Sequence, residues 1–377
     1  MKKKVVSILL AAAMITTMVV GCGQQGTTKD STDTATVGEE KTEASEDTKQ
    51  DSAGGSDKIV YAHRTLDQEA HVAMQQGVDD RSVKDGYKFE GLVCNVDLAT
   101  QNDQLKTVAL TGAKALLVNP VDSDGVVDAA KAVMDAGIPV ACVDTPLNCS
   151  GLAVSVVFNN TKCGEMAGER VVELLKEKYG EEKGTVVNVY GSLKSQAWRE
   201  RKEGFESIIK KYPNIKYVET PGEGEMAASQ DALTNTLAEL NYEVDAVHAP
   251  SDAPCLGLAE ALKTANMWKK VGEDGHIIFV SVDGEPGGLK NVKDGYYDAT
   301  VVLDCYGIGQ VTVDLLETYS FEGKEVPTSG TYDAPDFAWK SAEFSESEYG
   351  PVLNIPPYYV TTENVDDPAN WGNVVSK

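Results

Sequence analysis

Positive charge is what this chain has least of: 34 Lys and Arg stand against 59 Asp and Glu, a formal net charge of -25. Nucleic acid and anionic lipid are both bound through clustered Lys and Arg, so neither is expected as a partner surface. Long hydrophobic runs are missing too. The most apolar stretch, Val5 to Val20, falls short of the about 20 residues that cross a bilayer core. Histidine is scarce, and His63, His71, His248 and His276 lie at no metal-ligand spacing. There is no HExxH, no Walker A loop and no GxSxG elbow. Gly222 to Ala227 fits a dinucleotide-binding pattern, but Glu223 and Glu225 in that loop would repel a pyrophosphate. Asp122-Ser123-Asp124-Gly125 lacks the closing Glu of a calcium loop, and Asp122 or Ser123 reads better as a helix cap. No catalytic residue, cofactor or metal is expected.

What is present begins with an export pattern. Lys2, Lys3 and Lys4 precede the apolar run, as in a signal peptide. Val19-Val20-Gly21-Cys22 resembles a bacterial lipobox, which implies lipidation of Cys22 and removal of what precedes it. Residues 23–57 are Gly, Gln, Thr, Ser, Asp, Glu and Lys with almost nothing to bury, and read as a disordered tether reaching about 30 to 35 Å. The expected location is the outer face of the cell membrane, held there by lipid. Of the other six cysteines, Cys94 and Cys142 fall inside apolar runs and behave as small hydrophobes, and the spacing of the six fits no metal motif.

The folded part is organised around residues 115 to 144, which read as one β-α-β unit. Ala115 to Val118 is an unbroken apolar run, as in a strand covered on both faces. Val126, Ala129, Ala130, Val133 and Met134 recur at three- and four-residue steps, Gly137 stops that helix, and Ile138 to Val143 forms the next strand. Asn119 and Asp144 then lie side by side at the carboxyl ends of parallel strands, where open α/β sheets gather ligands. The same alternation runs on, with strands at 58–63, 89–97, 185–190, 244–248, 277–283 and 299–303 and helices between them. It predicts an α/β protein of two doubly wound parallel sheets.

Four stretches in order, TLDQEAHVAMQQG at 65–77, NPVDSDGVVDAAKAVMDAGIPVACVD at 119–144, WRERKEGF at 198–205 and FVSVDGEPGGLKNVKDG at 279–295, make residues 57–325 resemble the type I periplasmic binding proteins of the ribose-binding family. That resemblance implies two lobes joined by a three-crossing hinge, residues 58–157 with 304–334 and residues 158–303 with 335–377. It also implies a monomeric, non-enzymatic receptor that hands a sugar or polyol to an ABC permease. Carried over by likeness, Asn119, Asp144, Arg199 and Asp283 match sugar-hydroxyl ligands, with Arg64, Asp67, His71, Thr145, Trp198, Ser251 and Asp304 around them. Asp acceptors would fix hydroxyl directions and a guanidinium fork would span two oxygens. The alternative for Asp144 and Asp283 is turn capping, and for Trp198 it is helix packing.

Departures from the family narrow the ligand. Ala70 and His71 stand where two stacking aromatics are usual, Gly224 where a third often sits, and Leu303 and Ser251 replace amides, so ribose itself is not expected. Arg64 and Arg199 facing one cleft would suit an acid, whereas an internal pair of Arg64 with Asp67 or Asp304 favours a neutral ligand, the preferred expectation. Two alternatives stand beside the importer role: a sensor presenting ligand to a membrane kinase or chemoreceptor, and, from another class, a sugar-modifying enzyme.

Overall fold

The computed structural model describes residues 56–375. The expected export signal, Cys22 and all but the last two residues of the expected tether lie outside the described residues.

Residues that are apolar without alternation become central strands, because helices cover both faces of the sheet. In the first lobe these are β1 (Lys58–His63), β3 (Ala115–Val118), β4 (Val140–Asp144) and β5 (Val154–Phe158), with the less apolar β2 (Lys88–Val93) at the sheet edge. Every residue of β3, β4 and β5 is buried. Helices α1 (Glu69–Lys84), α2 (Leu98–Val108) and α3 (Val127–Asp135) connect them. The second lobe repeats the scheme with α4 (Asn160–Tyr179), β6 (Gly184–Gly191), α5 (Gln196–Ile209), β7 (Ile215–Glu223) and α6 (Met226–Glu239). It continues through β8 (Ala246–His248), α7 (Asp252–Thr264), β9 (Ile278–Asp283), α8 (Pro286–Lys293) and β10 (Ala299–Val302). The chain then returns to the first lobe through α9 (Cys305–Leu315), β11 (Gly330–Asp333), β12 (Ser341–Ser347) and β13 (Gly350–Ile355). It ends on the second with β14 (Tyr358–Val360) and α10 (Trp371–Val375).

The sheets run β11-β12-β13-β5-β4-β3-β1-β2 and β14-β10-β9-β8-β6-β7. Their parallel cores share one topology, with the strand order reversing between β1 and β3 in one lobe and between β6 and β8 in the other. Ligand crevices open at such switch points. The chain crosses between lobes after β5, after β10 and after β13.

One expected boundary is corrected. Residues 335–355 belong with the first sheet: β13 pairs parallel to β5, and β12 and β11 add antiparallel strands outside it. The edge of β5 would otherwise expose unpaired backbone groups, and this hairpin satisfies them. β14 alone turns to the second sheet, antiparallel to β10.

Helix packing also aims the site. A Cβ on Gly164 of α4 would lie 2.0 Å from the Arg201 carbonyl oxygen of α5. Only glycine allows the two backbones to approach this closely, and the turn that carries Arg201 is the one in contact.

Candidate functional site

Both lobes deliver their polar groups from strand ends, and two of those ends are bent. Asp144 closes β4 with φ +67° and Asp283 closes β9 with φ +95°, left-handed conformations that non-glycine residues rarely hold. Backbone strain of this kind persists where the surroundings enforce it, and here it turns two carboxylates inward from opposite lobes.

Arg201 joins them. Its Nε donates to Asn160 Oδ1 at 2.8 Å, and its Nη1 donates to the Pro250 carbonyl at 2.7 Å and to Asp283 Oδ1 at 3.2 Å. Its Nη2 lies 3.9 Å from Asp144 Oδ1 across the cleft. Burial lowers the guanidinium's proton affinity, but Asp283 and the other anionic neighbours outweigh it and the net shift is upward. Ser251 Oγ donates to Asp283 Oδ2 at 2.6 Å. On the first lobe, Asn119 Nδ2 and Thr145 Oγ1 each donate to Asp144 Oδ2 at 3.2 Å. Asn119 is itself held by Gln101, whose amide bonds the Asn119 carbonyl and the Val121 N–H at 2.9 Å. Burial pushes the Asp144 carboxyl up, against the pull of Arg201 and Arg64. Two acceptors, Asn119 Oδ1 and Asp144 Oδ1, are buried without a hydrogen-bond partner among the described residues. Buried acceptors of this kind are costly unless something donates to them.

Trp198 forms one wall. Its indole lies on Gly191 and Gly224: a Cβ on Gly224 would sit 2.0 Å from Cη2, and one on Gly191 2.6 Å from Cδ2. The Arg64 guanidinium covers the ring at 5.2 Å from its centroid. Gly224, at φ +80°, is therefore the space that Trp198 fills rather than a missing aromatic. His71 is buried with Nδ1 3.4 Å from Asn119 Nδ2, and burial together with Arg64 brings it down to about 3, so it is neutral. The lobes are closed over about 20 Å³, room for a water-sized guest only. A larger ligand enters when the lobes part.

The sequence-predicted residues divide. Asn119, Asp144, Asp283, Arg64, His71, Thr145, Trp198 and Ser251 come together in or directly behind this cleft. Three do not. Arg199 is half-exposed and donates to the Leu193 carbonyl at 2.6 Å. Asp67 is exposed at the start of α1. Asp304 caps α9 by accepting from the Gly307 N–H at 2.8 Å and accepts from Trp339 Nε1 at 3.0 Å. It faces a separate cavity of about 290 Å³, and burial brings it up to about 6. Arg64 accordingly pairs with neither Asp67 nor Asp304.

Two residues that bridge the lobes here were not singled out from the sequence, Arg201 and Glu285. Helical periodicity carried the signal for the first: Ala197, Trp198, Arg201, Gly204, Phe205 and Ile208 are the buried face of α5, and Arg199 points off it. Glu285, two residues past Asp283, is 3 % exposed and accepts the Ala70 N–H of the other lobe at 3.0 Å. Nothing in the sequence marks that contact.

The chain is matched over residues 59–325 by the family model described as "Periplasmic binding protein domain". It is similar to the ribose import binding protein of Haemophilus influenzae, 29% identical over 262 residues, covering 70% of this chain and 85% of that one. It is also similar to the xylitol-binding protein of Mycolicibacterium smegmatis, 24% identical over 288 residues, covering 76% and 78%. Among solved structures, an ABC transporter solute binding protein from Bacillus halodurans C-125 with bound myo-inositol superposes with a TM-score of 0.68 at 22% identity, covering 84% of this chain and 99% of that one. A galactofuranose binding protein superposes at 0.71 with 19% identity, covering 85% and 99%.

Proposed function

This chain belongs to the periplasmic binding protein domain family, and on that premise we propose that it is an extracytoplasmic receptor that closes over a neutral sugar or polyol and delivers it to an ABC importer. The observation that carries the reading is the meeting of Asn119 and Asp144 with Arg201 and Asp283 across the cleft, with two buried acceptors still open to a donor. A sugar hydroxyl donates to one group while accepting from another, and this set offers carboxylates, an amide and a guanidinium for both roles. Charge supports neutrality: Arg64 and Arg201 balance Asp144 and Asp283. The ribose- and xylitol-binding relatives lend the ligand class. The chain acts as a monomer without turnover, tethered through lipidated Cys22.

The experiment is a thermal-shift and calorimetric screen of the full chain against pentoses, hexoses, xylitol, myo-inositol and the matching uronic acids. A neutral ligand at 100 times its dissociation constant stabilises by about 2.7 kcal/mol. A response to neutral compounds without consumption of the compound is expected. A response confined to the acids overturns the neutral reading, and product formation overturns the receptor.

A further inference from the structure

The first turn of α1 is capped from the wrong lobe. Gln68 occupies its N-cap position but gives no side-chain cap. Glu285, which opens α8 of the second lobe, supplies it instead through Oε1 on the Ala70 N–H at 3.0 Å. This is a direct polar contact between the lobes outside the ligand-facing groups, and it breaks whenever they part. Glu285 is held in turn by Asp252 of α7, whose Oδ2 accepts the Glu285 N–H at 2.8 Å. Asp252 Oδ1 is buried with no hydrogen-bond partner among the described residues. Closure therefore brings an acid side chain out of water against another buried acid.

We propose that Glu285 is a proton-dependent latch of the closed form, in which its carboxyl is held protonated beside the buried Asp252 and releases that proton when the lobes open. This deepens the receptor reading and rests on it, since a latch has a role only where two lobes close on a ligand. The surroundings supply the driving force. Asp283 on β9 and Glu69 on α1 add negative charge, while the guanidiniums of the cleft are engaged elsewhere, Arg201 with Asp283 and Asp144 and Arg64 over the Trp198 ring. On α1, His71 is neutral and offers no compensation. Cys255, Tyr297 and Cys305 are pushed far up by burial and stay protonated. Burial and then the neighbouring carboxylates raise Glu285 well above the carboxylate range, and burial with Asp283 brings Asp252 up to about 8. With the lobes apart, Glu285 returns to water and its ordinary value of about 4.3. The closed form thus binds the extra proton. Its latch contribution is full below the open-state value and is lost as pH rises through the raised values, so closure weakens across neutral to alkaline pH.

The test needs no ligand, so its failure is distinct from failure of the receptor reading, which the sugar screen decides. Hydrogen exchange is followed in the full chain at residues 66–74, corrected for the intrinsic pH dependence, with the Phe279 and Val280 amides of β9 as the internal measure of a folded second lobe. Each unit of raised proton affinity is a factor of ten. Protection at Ala70 should fall at least about tenfold between pH 6.5 and 9.5 in the parent. Glu285→Gln, which keeps an acceptor oxygen and cannot titrate, should stay protected at both pH values, and Glu285→Ala should be unprotected at both. Protection in the parent that is flat with pH, or that falls as steeply in Glu285→Gln, overturns the latch.

Discussion

Arg201 and Arg199 sit two residues apart, and the difference between them sets the sharpest prediction at the residue scale. Arg201 is buried and in contact with carboxylates of both lobes. Truncation to Ala leaves Asp283 buried without its cation, and breaking a buried pair in this way costs about 3 to 5 kcal/mol. Arg201→Ala should therefore lose that much stability in urea unfolding and all response to the ligand found in the sugar screen. Arg199→Ala removes only a half-exposed donor to a carbonyl, so it should stay within about 0.5 kcal/mol and bind normally. Matching losses for both variants would contradict the assignment. The sequence held enough to choose between them, because side chains three apart share a helix face and side chains one apart do not. Likeness of motif selected Arg199, and the periodicity from Trp198 to Phe205 selects Arg201. The inward turn of Asp144 and Asp283 was only partly legible: Asp is among the residue types that tolerate a left-handed φ, but which Asp adopts it is decided by the packed backbone.

At the scale of elements, the β-α-β unit at 115–144 was legible because its apolar runs and its helical stripe are contiguous along the chain. The C-terminal segment was not, because β12 alternates buried and exposed residues only once β13 and β11 lie beside it. What that segment does became visible in its last helix. Trp371 of α10 is 1 % exposed and donates from Nε1 to the Asp283 carbonyl at 2.7 Å. A Cβ on Gly372 would meet the Gly284 carbonyl oxygen at 2.4 Å, so α10 lies directly on the bend that aims Asp283. Trp371 is thus a positioning residue for a site it does not touch. Trp371→Phe keeps most of the ring and drops the donor, which should cost about 1 kcal/mol of stability while weakening ligand binding by more. Trp371→Ala empties a core position and should cost about 3 to 5 kcal/mol. If Trp371→Phe loses stability and keeps full affinity in titration, α10 merely covers the lobe.

For the whole molecule the question is whether the lobes part as bodies, and the cysteines offer a readout. Cys94, Cys142, Cys149, Cys163, Cys255 and Cys305 are all free and buried, so no disulfide among them restrains either lobe. Cys94, Cys142 and Cys149 lie in the first lobe and Cys163 and Cys255 in the second, whereas Cys305, at the start of α9 beside the second crossing, lines the cleft. Burial holds the Cys305 thiol protonated and unreactive while the lobes are closed. Hinge opening exposes the cleft wall and leaves both lobe cores intact, so Cys305 should be modified well before the other five. A maleimide time course with peptide mapping by mass spectrometry measures this on the folded full chain, away from Cys22. Saturation with the neutral compound found in the screen should slow Cys305 alone, because ligand contacts to both lobes shift the population toward the closed form. If all six thiols react at one common rate, modification follows global unfolding instead, and closure of the cleft is not a motion that this molecule makes.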